Sequence, residues 1–418
     1  MYLSKKYLVK NKYLIFGSLI FFSLSFFISK KTASNDLYMQ LIAIEKIISQ
    51  FNFSDVGGHP IGFALIGTLF KIFKLDPLLI FYYLQPFISS LCFILLYKIT
   101  NTVLSPVLSF FISLSGMSSL IIIKAMNQFG AEIFSLASIL LLIFHTIKNI
   151  ILTDKFNNNN LLWLIIFSWM AILIRNASIF IIIGISLFLF ICGKFKIKKH
   201  VIIPVLMLAP GVIKTFLSVN NSASINNLVS IESLSTFLNQ AYKHIGNLKE
   251  IILPNILHLN KFPTLKFSIG ISFLIFCSFV FFKSNKSVNQ PRDKKLIGDL
   301  FFIVGLSYYF FLSFASSYLG TESIYSTDWG SIYRVSGFGI IFFLIAFWIY
   351  TSYVNIIKKE FIISILTVFC FLKLAHGLRY EFIYGPTRLL FDDYRNSAIS
   401  VIDYMEESGY DKLIIYTS

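Results

Sequence analysis

Charge is scarce in this sequence. Only 13% of its residues are Asp, Glu, Lys or Arg, about half the share of a soluble domain. The deficit excludes an ordinary water-soluble fold. With 56% hydrophobic residues, too much apolar surface would have to be buried. Cysteine is scarce as well. Cys92, Cys192, Cys277 and Cys370 all lie in or at the ends of apolar runs. They read as small packing residues, which excludes a disulfide framework and a thiolate metal site. No internal repeat is apparent, and no small-residue cleavage site follows the first apolar run. That run therefore reads as a retained span and not a signal peptide.

Apolar runs near bilayer length fill the chain: 13–29, 78–97, 103–121, 129–147, 161–174, 178–193, 201–219, 268–282, 297–319, 335–354 and 361–378. They predict an all-α, polytopic transmembrane protein with about eleven spans. Arg175-Asn176 divides 161–193 into two short helices, because a charge at the bilayer centre is costly. The domain reading is a transmembrane unit over 1–378 and a short tail over 379–418, the latter a helix ended by Gly409 and then a strand.

The formal net charge of +16 does not point to nucleic acid. The cations sit in clusters between apolar runs, with no basic-aromatic stripe. The strongest clusters are Lys5/Lys6/Lys10/Lys12, Lys194/Lys196/Lys198/Lys199, Lys283/Lys286/Arg292/Lys294/Lys295 and Lys358/Lys359. All four face the cytoplasm if the N-terminus is cytoplasmic and the segment 61–74 lies flat in the interface. If 61–74 crosses, three of them face outward. The flat reading leaves the outer side with four segments: 30–77, 122–128, 220–267 and 320–334. The tail is outside too, and Asn157–Asn160 is a cytoplasmic turn of no implied function.

Candidate site residues then fall on one side. Asp36 follows the first span, where a carboxylate suits a general base. Gly57-Gly58-His59-Pro60 turns into the flat segment, with His59 at headgroup depth. Lys124 belongs to the second outer loop, and Glu132 opens the fourth span, where an acid also favours the helix N-terminus. Arg175 lies between spans five and six, and Tyr333-Arg334 begins span ten. One interfacial Arg is an ordinary snorkelling residue. Two Arg, a His, a Lys and two acids at one depth suit a lipid phosphate.

Order and sidedness together resemble the GT-C class of membrane glycosyltransferases, particularly the aminoarabinose transferase and protein mannosyltransferase-like branch. Asn35-Asp36-Leu37-Tyr38 is similar to that family's Asp-Glu-Tyr after the first span, with Leu37 in place of the second acid. His59-Pro60-Ile61 resembles its His-Pro-Pro. Glu132, Arg175 and Tyr333-Arg334 take the places of its later acid, its basic residue between spans five and six, and its late Arg-Tyr pair. The resemblance implies inverting transfer of a sugar from a polyprenyl-phosphate donor to an extracytoplasmic acceptor at a bacterial plasma membrane. Asp36 is then the catalytic base and Glu132 a second acid that positions donor or acceptor. Arg175, His59 and Arg334 hold the phosphate, with Tyr333 and Lys124 lining the substrate site. No metal and no cofactor is expected. The expected partners are the lipid-linked donor and membrane lipids, with no nucleic acid. Two other readings stand beside this one: an O-antigen-type polymerase or ligase using 220–267 as its outer loop, and a lipid-linked glycan transporter or flippase.

Overall fold

A computed structural model describes residues 5–28, 32–33, 35–51, 61–129, 131–153, 157–196, 200–219, 231–251, 263–283, 292–318, 331–355 and 358–384. The protein is α-helical, and every predicted apolar run contains helix, although 103–121 breaks into two helices at Ser118-Ser119. In chain order the helices are α1 Lys5–Ile28, α2 Asn35–Gln50, α3 Ile61–Ile72, α4 Pro77–Thr100 and α5 Pro106–Met117. Then come α6 Leu120–Asn127, α7 Glu132–His145, α8 Asn158–Ile174, α9 Ser178–Ile191 and α10 Ile202–Val219. The last five are α11 Ile231–Asn247, α12 Pro263–Phe282, α13 Arg292–Tyr318, α14 Ser331–Val354 and α15 Lys359–Tyr384. Among the described residues, five stretches are long and apolar enough to cross a membrane: Leu79–Thr100, Glu132–Ile151, Pro263–Phe282, Arg292–Ala315 and Glu360–Arg379. Shorter apolar helices accompany them. This is the pattern of a multi-pass membrane protein.

The helices pack around a large shared core, and helices far apart in sequence meet in it. Ser89 donates to Ser25 at 3.1 Å, and Phe21 stacks on Phe93, joining α1 to α4. α7 continues into a π-helical turn, Thr146–Ile151. It is tied to α8 at both ends. The His145 ring bonds the Asn160 carbonyl at 2.9 Å, and Glu132 meets Arg175 at the opposite end of both helices. The asparagine run does more than turn the chain. Asn157 caps α8 by accepting from the Asn160 amide at 2.7 Å, and the Asn160 side chain donates to the Asn149 carbonyl. α13 and α14 meet through Tyr350 and Asp299. The bundle thus has a Glu132 end and an Asp299 end.

Three segments read as loops contain helix. Residues 30–77 hold α2 as well as α3, and the two form a small hairpin with its own core of Ala43, Ile44, Ile47 and Ala64. Gly67 has no room for a side chain because Ile44 fills the space, and Lys71 pairs with Glu45. The second expected loop, 122–128, is the helix α6 as far as Asn127, so Lys124 is a helical residue. Residues 220–267 hold α11 followed by a 3-10 turn, Leu248–Ile251. The expected helix and strand of the tail lie outside the described residues.

α3 does not run the length of the bundle. Its 12 residues extend about 18 Å, well short of a hydrocarbon core of about 30 Å. Phe63 and Phe70 both contact the same ring, Phe81 in the first turns of α4. Helix α3 is therefore confined to one end of α4.

Candidate functional site at the Glu132 end

The centre of this end is a carboxylate and a guanidinium on different helices. Glu132 is the first residue of α7, and its side chain is 5% exposed. Arg175 ends α8. It leaves the helix in an extended conformation (φ −152°, ψ 121°), while its amide still donates to the Ala171 carbonyl. Its own carbonyl accepts from the Ser178 amide and so starts α9. A residue in that corner is aimed by two helices at once. The Arg175 side chain, 16% exposed, comes to 3.7 Å from Glu132 and lies 5.4 Å from the centre of the Phe338 ring of α14. A ring face attracts a cation, and more strongly when the pair is desolvated. The separation from Glu132 exceeds the roughly 2.7–2.9 Å of a direct charge-assisted hydrogen bond. The two groups attract without being locked together.

The other predicted residues approach this pair through the backbone. Thr32–Ala33 and Gln128–Phe129 form a two-residue parallel ladder, Thr32 opposite Gln128 and Ala33 opposite Phe129. Asp36 follows Ala33 by three residues, in the first turn of α2, and Glu132 follows Phe129 by three. The ladder therefore ties the segment that carries Asp36 to the segment that carries Glu132. Gln85 of α4 holds the end of α6 in place, donating to the Met126 carbonyl at 2.7 Å and the Ala125 carbonyl at 3.3 Å. These carbonyls would otherwise lack partners at a helix C-terminus. Lys124 lies one residue before Ala125 in the backbone of α6. Tyr333 and Arg334 occupy the first turn of α14, and Arg334 precedes Phe338 by one helical turn. The start of α3 belongs to this end as well: Gly62 lies against the Leu173 backbone, two residues before Arg175, where a Cβ would be 2.5 Å from the carbonyl oxygen. His59 lies outside the described residues. Among the described residues, no three His, Cys, Asp or Glu side chains gather in one place.

Two buried charged sites lie outside the predicted set. At the Asp299 end, Lys295 and Asp299 stand one helical turn apart in α13 and pair at 2.8 Å. The Tyr350 hydroxyl donates to Asp299 at 2.7 Å, and Lys295 also donates to the Phe281 carbonyl at 2.9 Å. The i, i+4 spacing of opposite charges in an apolar run was the available signal. Lys373 lies inside the apolar stretch of α15 and is 4% exposed. It donates to Ser115 Oγ at 3.1 Å and to the Ile251 carbonyl at 3.2 Å. A cation within a span is a functional candidate by default.

No protein-family model matches the chain, and no curated protein sequence matches it. The site's chemistry therefore rests on its own residues: a semi-buried guanidinium suited to phosphate, a buried acid beside it, and a second acid on a segment tied to the first.

Proposed function

We propose that the protein is a GT-C-type glycosyltransferase that takes its sugar from a polyprenyl phosphate and transfers it, with inversion, to an extracytoplasmic acceptor. In this reading the chain makes about eleven crossings, the α2–α3 hairpin lies at the outer surface, and the Glu132 end faces outward. The Asp299 end then carries Lys194, Lys283, Lys294, Lys295 and Lys358, as the positive-inside rule asks. The observation that carries the reading is the Glu132–Arg175 pair with the Asp36 segment laddered to it.

Asp36 accepts the proton of the acceptor hydroxyl as that oxygen attacks the anomeric carbon. The bond from that carbon to the phosphate oxygen breaks, and the polyprenyl phosphate leaves. Arg175 stabilises the charge that develops on the departing phosphate, with Arg334 and His59 as further phosphate ligands. Glu132, 3.7 Å from Arg175, positions the guanidinium as well as the donor or acceptor.

The test is transfer of radiolabelled sugar from polyprenyl-phosphate donors in membranes, wild type against Asp36→Asn at matched expression. Loss of a general base should reduce transfer by about 10²-fold or more. Full activity in the variant would remove Asp36 as base and with it the assignment.

One observation favours transport. Lys373 is buried within a span and bonds the Ile251 carbonyl at the end of a non-spanning segment, the kind of placement transporters use. A protein that moves a labelled lipid-linked glycan across proteoliposomes without transferring sugar would establish that reading instead.

A further inference from the structure

Helix α11 has its polarity reversed for a helix in water. Leu234, Leu238 and Tyr242, spaced four apart on one stripe, are 51%, 58% and 37% exposed. The opposite face carries Gln240, His244 and Asn247, each buried to 6% or less. A surface helix normally turns its apolar stripe to the core and its polar face to solvent. The inward face here is packed into the bundle. His244 stacks on Tyr309 of α13 at 5.1 Å, and Ile245 leaves no space for a side chain on Gly270 of α12. Among the described residues the His244 Nδ1 has no hydrogen-bond partner. Burial first, and the Lys243 charge second, push the imidazole down to about 4, so it is neutral at neutral pH. The segment then goes deeper: Leu248, Lys249 and Ile251 are all buried, and the Ile251 carbonyl reaches Lys373 in α15.

The outward stripe does not stand alone. Phe237 contacts Phe310 of α13, itself 54% exposed, and Tyr242 stacks on Phe267 of α12 at 4.6 Å. It continues the exposed apolar faces of two stretches long enough to cross the membrane, which also carry Leu306, Phe314, Ile275 and Phe279. What covers those faces covers α11. Exposed Ser235 and Asn239 flank the stripe, which suits the depth where acyl chains meet headgroups.

We infer that α11 is seated in the lipid layer, with Leu234, Leu238 and Tyr242 covered by acyl chains. Residues 231–251 then form an arm that enters the bundle from the membrane side, not a solvated loop. This does not depend on whether the protein transfers sugars or moves them. Nitroxide collision measurements on protein in phosphatidylcholine–phosphatidylglycerol nanodiscs test it. Labels go on Leu234→Cys and Leu238→Cys, with Phe279→Cys as the lipid reference and Asn101→Cys, in an exposed turn, as the water reference. The unmodified protein serves as the blank for its own cysteines, of which Cys92, Cys277 and Cys370 are buried. The expected result is that oxygen outcompetes nickel–EDDA at Leu234 and Leu238, as at Phe279. Nickel collisions as frequent as at Asn101 would return α11 to water and overturn the inference. So would an immobilised label shielded from both reagents, since a protein surface would then be the cover.

Discussion

The two ends of the bundle treat buried charge differently. At the Asp299 end the ion pair is tight, at 2.8 Å, and a tyrosine hydroxyl and a backbone carbonyl complete the bonding. At the Glu132 end the pair stands 3.7 Å apart with an aromatic ring beside the cation. A closed network of this kind stabilises position and has little capacity left for a ligand. A looser pair can exchange part of its attraction for a substrate anion at small cost. In the proposed reading the Asp299 end is architectural and the Glu132 end carries the chemistry.

Removing Asp299 should do the most damage. Asp299→Leu leaves Lys295 buried without its carboxylate, which costs about 3–5 kcal/mol and should appear as a large drop in the thermal midpoint in detergent. The double variant Lys295→Met/Asp299→Leu should recover most of that loss. A double variant as unstable as the single one would break the architectural reading. Arg175→Ala should lose transfer by about 10²–10³-fold, and because the pair with Glu132 is looser its unfolding midpoint should fall by less than that of Asp299→Leu. Arg175→Lys should not restore it, because a point charge lacks the planar fork. An unfolding midpoint that falls as far as in Asp299→Leu would make both ends structural. Gly62→Val forces a Cβ into the Leu173 carbonyl and should cost about 1–3 kcal/mol, shifting α3 and lowering transfer through the displaced hairpin. The exposed Glu45–Lys71 pair supplies the floor of the scale: Lys71→Ala should change stability by under about 1 kcal/mol. A larger loss would mean that the hairpin is held by charge and not by Ile44 and Ile47.

These expectations also show how much the sequence could convey. Apolar runs reveal helices wherever lipid or core surrounds them on all sides, and α1, α4 and α7 through α10 follow the runs closely. Two of the helices read as loop, α2 and α11, mix Gln, Asn, Lys and Glu with leucine and isoleucine. Their apolar content falls below that of a span, and only the packing of one face makes them helical. For the site, sidedness was legible, since Arg175 and Glu132 both border short turns. Their contact was not, because it depends on α7 and α8 packing antiparallel with matched lengths. Lys295–Asp299 was readable from spacing alone. That Ile251, from a segment read as a loop, would meet Lys373 was not, because the two are far apart in sequence and joined only by the re-entry of α11.

The ladder of Thr32–Ala33 with Gln128–Phe129 bears on which length changes the chain can absorb. It acts as a register stop between two stretches that each lead to an acid. One residue inserted between Ala33 and Asp36 would turn Asp36 about 100° around the axis of α2 while leaving Glu132 where it is. The same insertion after Gln50 changes neither heading, because the ladder has already set the phase. Length variation in this region should therefore be tolerated beyond α2 and refused between Ala33 and Asp36.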